Sequence, residues 1–343
     1  MVVKAYEYTN RALVFQVVPV GVLAPDLRLN GLRLKIWDHA NMIYPNQETG
    51  PMYTILCMSD VSPFPEVLDP LREIGTVKVF PPDPEVLLRE IADCDAYFAT
   101  LYVRIDDTVM GAASRLKVIA TPSTGLDHID LDAAARRGIE IVCLKHDRAF
   151  LDRVTATAEL AWTLLLACAR RIPSATEAAR RGEWARDRFR GHQLSEKTFG
   201  VLGYGRLGTM TARYAQAFGM RVLACDIKPF DAPGITSVDR DTLFRESDVV
   251  SIHIHLTPET TGLIGARELG LMKPGAILIN TSRGAIVDEA ALLDALTSGR
   301  LGGAGLDVIH GEWSETLHDH PLIRYAREHD NPVSYTHLTL PTN

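Results

Sequence analysis

The feature that most constrains this chain is Gly203-Tyr204-Gly205-Arg206-Leu207-Gly208, three glycines set between segments of different periodicity. Phe199 to Leu202 before it is a short, continuous apolar run, the pattern of a buried strand. Arg206 to Phe218 after it has helical spacing, and Arg221 to Cys225 is a second strand followed at once by Asp226. In a strand–turn–helix each glycine has a use. Gly203 permits the tight turn, Gly205 lets backbone N–H groups approach a ligand, and Gly208 lets the helix pack close to the strand. Arg206 and Leu207 fall in the first helical turn, where unpaired N–H groups and the positive end of the helix dipole favour phosphate. A carboxylate at Asp226 accepts ribose hydroxyls and repels a 2′-phosphate. The unit reads as a Rossmann turn for NAD rather than NADP, a preference that Lys228 weakens slightly. S-adenosylmethionine on the same fold is the alternative that the turn alone leaves open.

At roughly 150 residues per domain, 343 residues give room for two domains. From Met52 onward, strands (53–58, 77–80, 96–100, 116–120, 139–143) alternate with helices (65–74, 84–91). A second series from Thr198 adds strands at 248–254, 276–280 and 303–308 and helices at 266–272 and 288–298. The strand runs are continuous, as in sheets covered on both faces, and such alternation implies parallel sheets. The expected fold class is therefore α/β, two doubly wound parallel-sheet domains, the second a Rossmann NAD-binding domain. Expected boundaries are 52–153 and 154–333, with an extension of unknown role over 1–51 and a non-native tail over 334–343. Thr155 to Arg170 is helical and apolar almost all round, the mark of a helix buried between domains or subunits, and Pro173 ends or kinks it. Seven arginines between Arg170 and His192 read as a solvated helix face, with an anion-attracting rim as the alternative. Leu13 to Ala24 is a weak leader-like run interrupted by Gln16 and Pro19.

A net charge of -7 and a pI near 5.9 argue against nucleic acid as a partner. No apolar run approaches the ~20 residues that span a bilayer. Cys57, Cys94, Cys143, Cys168 and Cys225 are odd in number, widely spaced and without a CxxC. They read as small buried hydrophobes in a reducing compartment, hence a cytoplasmic protein. His253 and His255 alternate along one strand, and His318 and His320 flank Asp319, but no third ligand cluster accompanies either pair, so no metal is expected.

Asn280-Thr281-Ser282-Arg283-Gly284 follows a strand, at the end where ligands bind in such sheets. An arginine there can pair with a carboxylate bidentately. Val287-Asp288-Glu289 opens a helix with Asp288 as its cap. Gly303 to Val308 is another strand, carrying Asp307, and Glu312 follows. These segments, with Thr124-Gly125-Leu126-Asp127-His128-Ile129-Asp130 and Leu256-Thr257-Pro258-Glu259-Thr260, closely resemble the D-isomer-specific 2-hydroxyacid dehydrogenases, the family of D-3-phosphoglycerate dehydrogenase. The resemblance runs from about Met52 to Val333.

The resemblance implies roles. NADH would give hydride to C2 of a 2-oxo acid. Arg283 corresponds to the arginine that orients the substrate carboxylate and polarises the carbonyl. Glu312 corresponds to the glutamate that raises the pKa of a catalytic histidine. Asp307 corresponds to the aspartate that holds the nicotinamide carboxamide, with Thr281 and Ser282 beside it and Thr257 also at the cofactor. Ser123, Thr124 and Gly125 match the loop whose N–H groups bind the substrate carboxylate, in a flavodoxin-like substrate domain. The family usually has Pro after its glutamate, where this chain has Trp313. Its acid/base histidine lies in a Thr-Pro-His-x-Gly motif. Here His337 falls near the expected offset within a tail, Ser334 to Asn343, that resembles translated sequencing adapter, so a truncated chain of little activity is expected. The substrate type (3-phosphoglycerate, glycerate, glyoxylate or lactate) stays open, with Arg104 able to approach a substrate phosphate. A homodimer is expected. The competing reading is a non-enzymatic NADH-sensing interaction protein on the same fold.

Overall fold

The computed structural model describes residues 53–184, 186–312 and 317–334, and by backbone alone the strands Val2–Tyr8, Ala12–Val18, Leu27–Leu29 and Leu32–Leu34. Val2–Tyr8 and Ala12–Val18 pair antiparallel, so the start of the leader-like run is strand. The remainder forms two compact units divided between Leu151 and Asp152.

In the first unit the continuous apolar runs become five parallel strands: Tyr53–Cys57, Gly75–Val79, Ala96–Phe98, Val118–Thr121 and Glu140–Cys143. Numbered along the chain they lie in the order 2-1-3-4-5, the flavodoxin-like arrangement. Alternate residues serve opposite faces. Leu56, Tyr97 and Ile119 pack against Leu87, Ile91 and Met110, while Ile55, Phe98 and Val118 pack against Leu68 and Leu71. Three helices start on aspartate caps. Asp83, Asp106 and Asp130 accept the N–H groups of Val86, Val109 and Ala133 at 2.8, 3.0 and 2.9 Å.

In the second unit seven parallel strands lie in the order 3-2-1-4-5-6-7. In spatial order they are Ile235–Ser237, Arg221–Cys225, Thr198–Leu202, Val249–Ile252, Ala276–Asn280, Leu301–Leu306 and Pro332–Ser334. The first six follow the Rossmann order. Ser334, expected in the tail, pairs with Leu306. The apolar helix is Ala156–Arg170, and Leu160, Leu164 and Leu165 bury it on this sheet against Phe199, Val201 and Ile277. Its end is at Arg171, which adopts φ 52°, and Pro173 sits in the first turn of the next helix, Ile172–Arg180, rather than kinking the first. Of the seven arginines, Arg181 pairs with Glu177 and Glu183, Arg188 with Glu183 and Arg190 with Asp187, all exposed. These three lie on a solvated face.

Both sheets are tied at the N-terminal end by the same device. Asp95 accepts the Thr54 N–H at 2.9 Å and pairs with Arg115. Asp248 accepts the Thr198 N–H at 2.8 Å and pairs with Lys273.

Candidate functional site

The strand order of the second unit reverses between Thr198–Leu202 and Val249–Ile252, and ligands bind outside the C-terminal ends of strands at such a switch point. Register levels those ends. Cys225, Leu202, Ile252, Asn280 and Leu306 stand in one row across five strands. The first residue beyond each is therefore Asp226, Gly203, His253, Thr281 and Asp307. Asp226, Gly203, Thr281 and Asp307 are residues singled out from sequence for the cofactor.

The glycine turn has the geometry its sequence implies. Gly203 adopts φ 95°, and a Cβ there would lie 2.7 Å from the His253 carbonyl oxygen. A Cβ on Gly208 would collide with the Gly203 carbonyl, so helix Arg206–Ala217 needs a glycine to lie this close. A Cβ on Gly205 would meet nothing within 4 Å, leaving open space beside the helix N-terminus. The Asp226 carboxylate accepts the Tyr204 N–H at 2.7 Å and the Lys228 N–H at 2.8 Å, which fixes it beside the turn. Each oxygen keeps a second lone pair for a ligand hydroxyl. The Arg206 guanidinium donates to the Val154 carbonyl at 2.6 Å, so it is the backbone of Arg206 and Leu207 that serves the turn.

His253 lies past the strand end and its Nε2 meets Ser251 Oγ at 2.9 Å and Thr211 Oγ1 at 3.1 Å. Burial pushes its pKa down to about 4, so the ring is neutral near pH 7. The strand stops at Ile252, so His253 and His255 do not share a strand face, which corrects the sequence expectation. His318 pairs with Asp319 on the surface at 3.1 Å. Among the described residues no group of three His, Cys, Asp or Glu side chains gathers for a metal. Thr257 is exposed in a turn tied by Thr260, whose Oγ1 accepts the Thr257 N–H at 2.7 Å.

Asn280 shapes the next loop with both ends of its side chain. Its Nδ2 donates to the Arg283 carbonyl and its Oδ1 accepts the Ser282 N–H, both at 3.0 Å. Ser282 Oγ donates to the Ile252 carbonyl at 2.9 Å. Thr281 Oγ1 is buried without a hydrogen-bond partner among the described residues. A buried hydroxyl without a partner is costly, and a polar ligand group at this edge would satisfy it. The open cradle at Gly205, the held Asp226 and this hydroxyl all fit a dinucleotide.

Arg283 is half-buried and its Nη1 donates to the Ser282 carbonyl at 2.8 Å. Asp307 is buried, and its N–H donates to the Asn280 carbonyl at 3.0 Å. Glu312 Oε2 accepts the Ile309 N–H at 3.2 Å. Burial pushes the Glu312 carboxyl up to about 7; the Ile309 N–H and the Arg283 charge oppose this, and the Asp307 and Glu289 charges add to it.

Ser123, Thr124 and Gly125 belong to the first unit, at the C-terminal edge of its own sheet, just after Val118–Thr121. Ser123 Oγ donates to the Gly125 carbonyl at 2.6 Å and also meets Thr121 Oγ1 at 3.0 Å. Arg104 is exposed on the same unit. His337 and Trp313 lie outside the described residues. Sequence reading missed the link of Glu289 to His320, a 3.0 Å contact across 31 residues that no local pattern announces.

Comparison with known proteins identifies a family. The profile of "D-isomer specific 2-hydroxyacid dehydrogenase, catalytic domain" matches residues 55–182, and that of the same family's NAD binding domain matches residues 162–339. A glyoxylate reductase of Thermococcus gammatolerans is 42% identical over 71% of this chain and 76% of its own length. A D-3-phosphoglycerate dehydrogenase of Mycobacterium bovis is 39% identical over 72% of this chain, which spans 46% of that relative. The crystal structure of a D-lactate dehydrogenase from Aquifex aeolicus, complexed with NAD and lactic acid, matches with a TM-score of 0.73 and 28% identity, covering 82% of this chain and 87% of the other.

Proposed function

Since the chain belongs to the D-isomer specific 2-hydroxyacid dehydrogenases, we propose that it interconverts a small D-2-hydroxy acid and its 2-oxo acid at the strand-end row of its NAD-binding unit. The observation that carries this reading is that row: Gly203, Asp226, Thr281 and Asp307 are level at one sheet edge, and the Arg283 and Glu312 loops leave the same edge. Residues 52–153 are the substrate-binding domain in this reading, and 154–333 the NAD-binding domain.

Gly205 and the first helical turn bind the pyrophosphate, Asp226 the adenosine ribose, and Asp307, Thr281 and Ser282 the nicotinamide end, with Thr257 also at the cofactor. The bound cofactor supplies the hydride. Ser123, Thr124 and Gly125 offer backbone N–H groups to the substrate carboxylate. Arg283 orients the substrate and stabilises negative charge developing on its C2 oxygen. Glu312 holds an imidazolium as its partner. A carboxyl that burial raises to about 7 gains much from a cation beside it and in turn raises that histidine's pKa. The family pattern places this histidine after the last strand.

The substrate class spans glyoxylate, glycerate, 3-phosphoglycerate and lactate types. We also assign a homodimer and the cytoplasm. No disulfide joins any of the five cysteines, which suits a reducing compartment. Among the described residues no helix is long and apolar enough to cross a membrane.

The test is Arg283→Ala, with NADH binding followed by fluorescence and turnover measured on a panel of 2-oxo acids. NADH affinity should stay and turnover fall by about 10²–10³-fold. Near-normal turnover would remove Arg283 from the chemistry. The assay is made on an active full-length enzyme, and NADH binding with no reduction of any acid by the complete gene product would favour an NADH sensor instead.

A further inference from the structure

We propose that Glu289 and His320 form a positioning pair that holds the Glu312 loop against the Arg283 turn. The catalytic meaning of the pair rests on the roles given above to Arg283 and Glu312, whereas its geometry does not.

Glu289 is the first residue of helix Glu289–Thr297, yet it does not cap it. Asp288 does, accepting the N–H groups of Ala290 and Ala291. The Glu289 carboxylate turns instead to two other segments. Its Oε1 accepts the His310 N–H at 2.7 Å, and its Oε2 meets His320 Nε2 at 3.0 Å. Only 17% of the Glu289 side chain and 15% of the His320 side chain are exposed, so water competes weakly for either. His320 is itself the cap of helix Pro321–Glu328, its Nδ1 accepting the Leu322 N–H at 3.3 Å. An Nδ1 that accepts carries no proton, so the neutral ring has its hydrogen on Nε2 and donates it to Glu289.

One carboxylate thus gathers the starts of two helices and the loop 307–312. Two further hydrogen bonds bear on that loop. Asp307 bonds to the Asn280 carbonyl, and the Ile309 N–H is taken by Glu312 itself. Gly284, the residue after Arg283, lies flush on the other side. A Cβ on it would run into the Ile309–His310 peptide. The His310 amide is therefore clamped between the Arg283 turn and Glu289, two residues before Glu312.

A cap alone does not require histidine. Asparagine caps well but is too short to reach Glu289 as well. Charged residues adjoining the pair in the chain are Asp288, which caps the Glu289 helix, and Asp319. The Glu289 charge is among those that raise the Glu312 carboxyl.

The experiment uses the full chain without cofactor, in three forms: unaltered, Glu289→Gln and His320→Asn. Amide hydrogen exchange is read at Ile309 and His310, and the Glu312 carboxyl is titrated by carbon NMR. His320→Asn keeps a helix cap, and exchange at Ile309 and His310 should rise about tenfold, the effect of losing one good hydrogen bond. In Glu289→Gln the Glu312 midpoint should fall below 7, because one of the charges that add to the effect of burial is gone. Unchanged exchange and an unchanged Glu312 midpoint, with only thermal stability lowered, would overturn the proposal and leave His320 a helix cap. Neither readout needs turnover, so a failed activity assignment is told apart from a failed positioning pair.

Discussion

Glu312 is where burial and charge disagree most openly. The carboxyl is pushed up to about 7 by burial, and the neighbouring Asp307 and Glu289 reinforce this against Arg283 and the Ile309 N–H. The sign of the linkage follows. A carboxyl raised in the folded state binds its proton more tightly there than in the unfolded chain. Its contribution to stability is thus fully present below the unfolded value of 4.5 and is lost as pH rises through about 7. Glu312→Gln, which is neutral throughout, should match the unaltered chain near pH 4.5 and be the more stable of the two at pH 8, by on the order of 1–3 kcal/mol. Urea unfolding at both pH values checks this; equal stabilities at pH 8 would mean that Glu312 is ionised at little cost. The sequence marked Glu312 by its place after Asp307, but the raised carboxyl was not legible there. Burial is a property of the folded loop, which no local pattern in the sequence announces. The glycines were legible because each meets a need of its own backbone: a positive φ at Gly203, a helix too close for a side chain at Gly208. Arg206 was half legible. Its position in the first turn was evident, but the reach of its side chain to Val154 was not.

At the scale of elements, long periodic runs announced themselves and short ones did not. Helices Asp107–Ala112, Leu131–Arg137, Arg240–Glu246 and Pro321–Glu328 went unseen from sequence. So did the three-residue edge strands Ile235–Ser237 and Pro332–Ser334, too short to carry a period. The helix Ala156–Arg170 was expected between domains or subunits, and its sheet-facing residues are accounted for by its own unit's sheet. What holds neighbouring strands level at their start was also hidden, because it acts across 50 residues: Asp248 on Thr198. Burial works against the Asp248 charge, but the Thr198 N–H, Lys273 and Lys197 outweigh it and hold the carboxyl below its ordinary 3.8. A depressed carboxyl stabilises the fold above its unfolded value and loses that contribution as pH falls through the folded one. Asp248→Ala should therefore cost about 1–3 kcal/mol at pH 7, measured by urea unfolding, and the gap should narrow only below pH 3.8. A variant as stable as the unaltered chain at pH 7 would make the tie redundant, with the adjacent strand pairing sufficient.

For the whole molecule, two sheets of different strand order, 2-1-3-4-5 and 3-2-1-4-5-6-7, follow one rule: the residues proposed for substrate and cofactor sit just past C-terminal strand ends. That rule made the sites legible as places before any side chain was located. It says nothing of which acid is taken, since substrate choice depends on loop side chains that no period governs. Nor does it reach the surface, where the proposed homodimer has to be argued. The segment after helix Ala156–Arg170 presents Ile172 at 48% and Trp184 at 89% exposure, though large aromatic side chains are rarely left in water. Along the same segment Arg181, Arg188 and Arg190 pair with Glu177, Glu183 and Asp187, so polar, ion-paired side chains flank Trp184 in the chain. An aromatic anchor within a polar rim is the usual composition of a protein–protein interface. A second copy of this chain covering Trp184 should thus give a dimer by light scattering at about 10 μM, and Trp184→Glu, which buries a charge in that interface, should shift it to monomer with little change in NADH affinity. A monomer in the unaltered chain would end the dimer assignment. A dimer untouched by Trp184→Glu would move the interface elsewhere and leave the exposure of Trp184 to another cause.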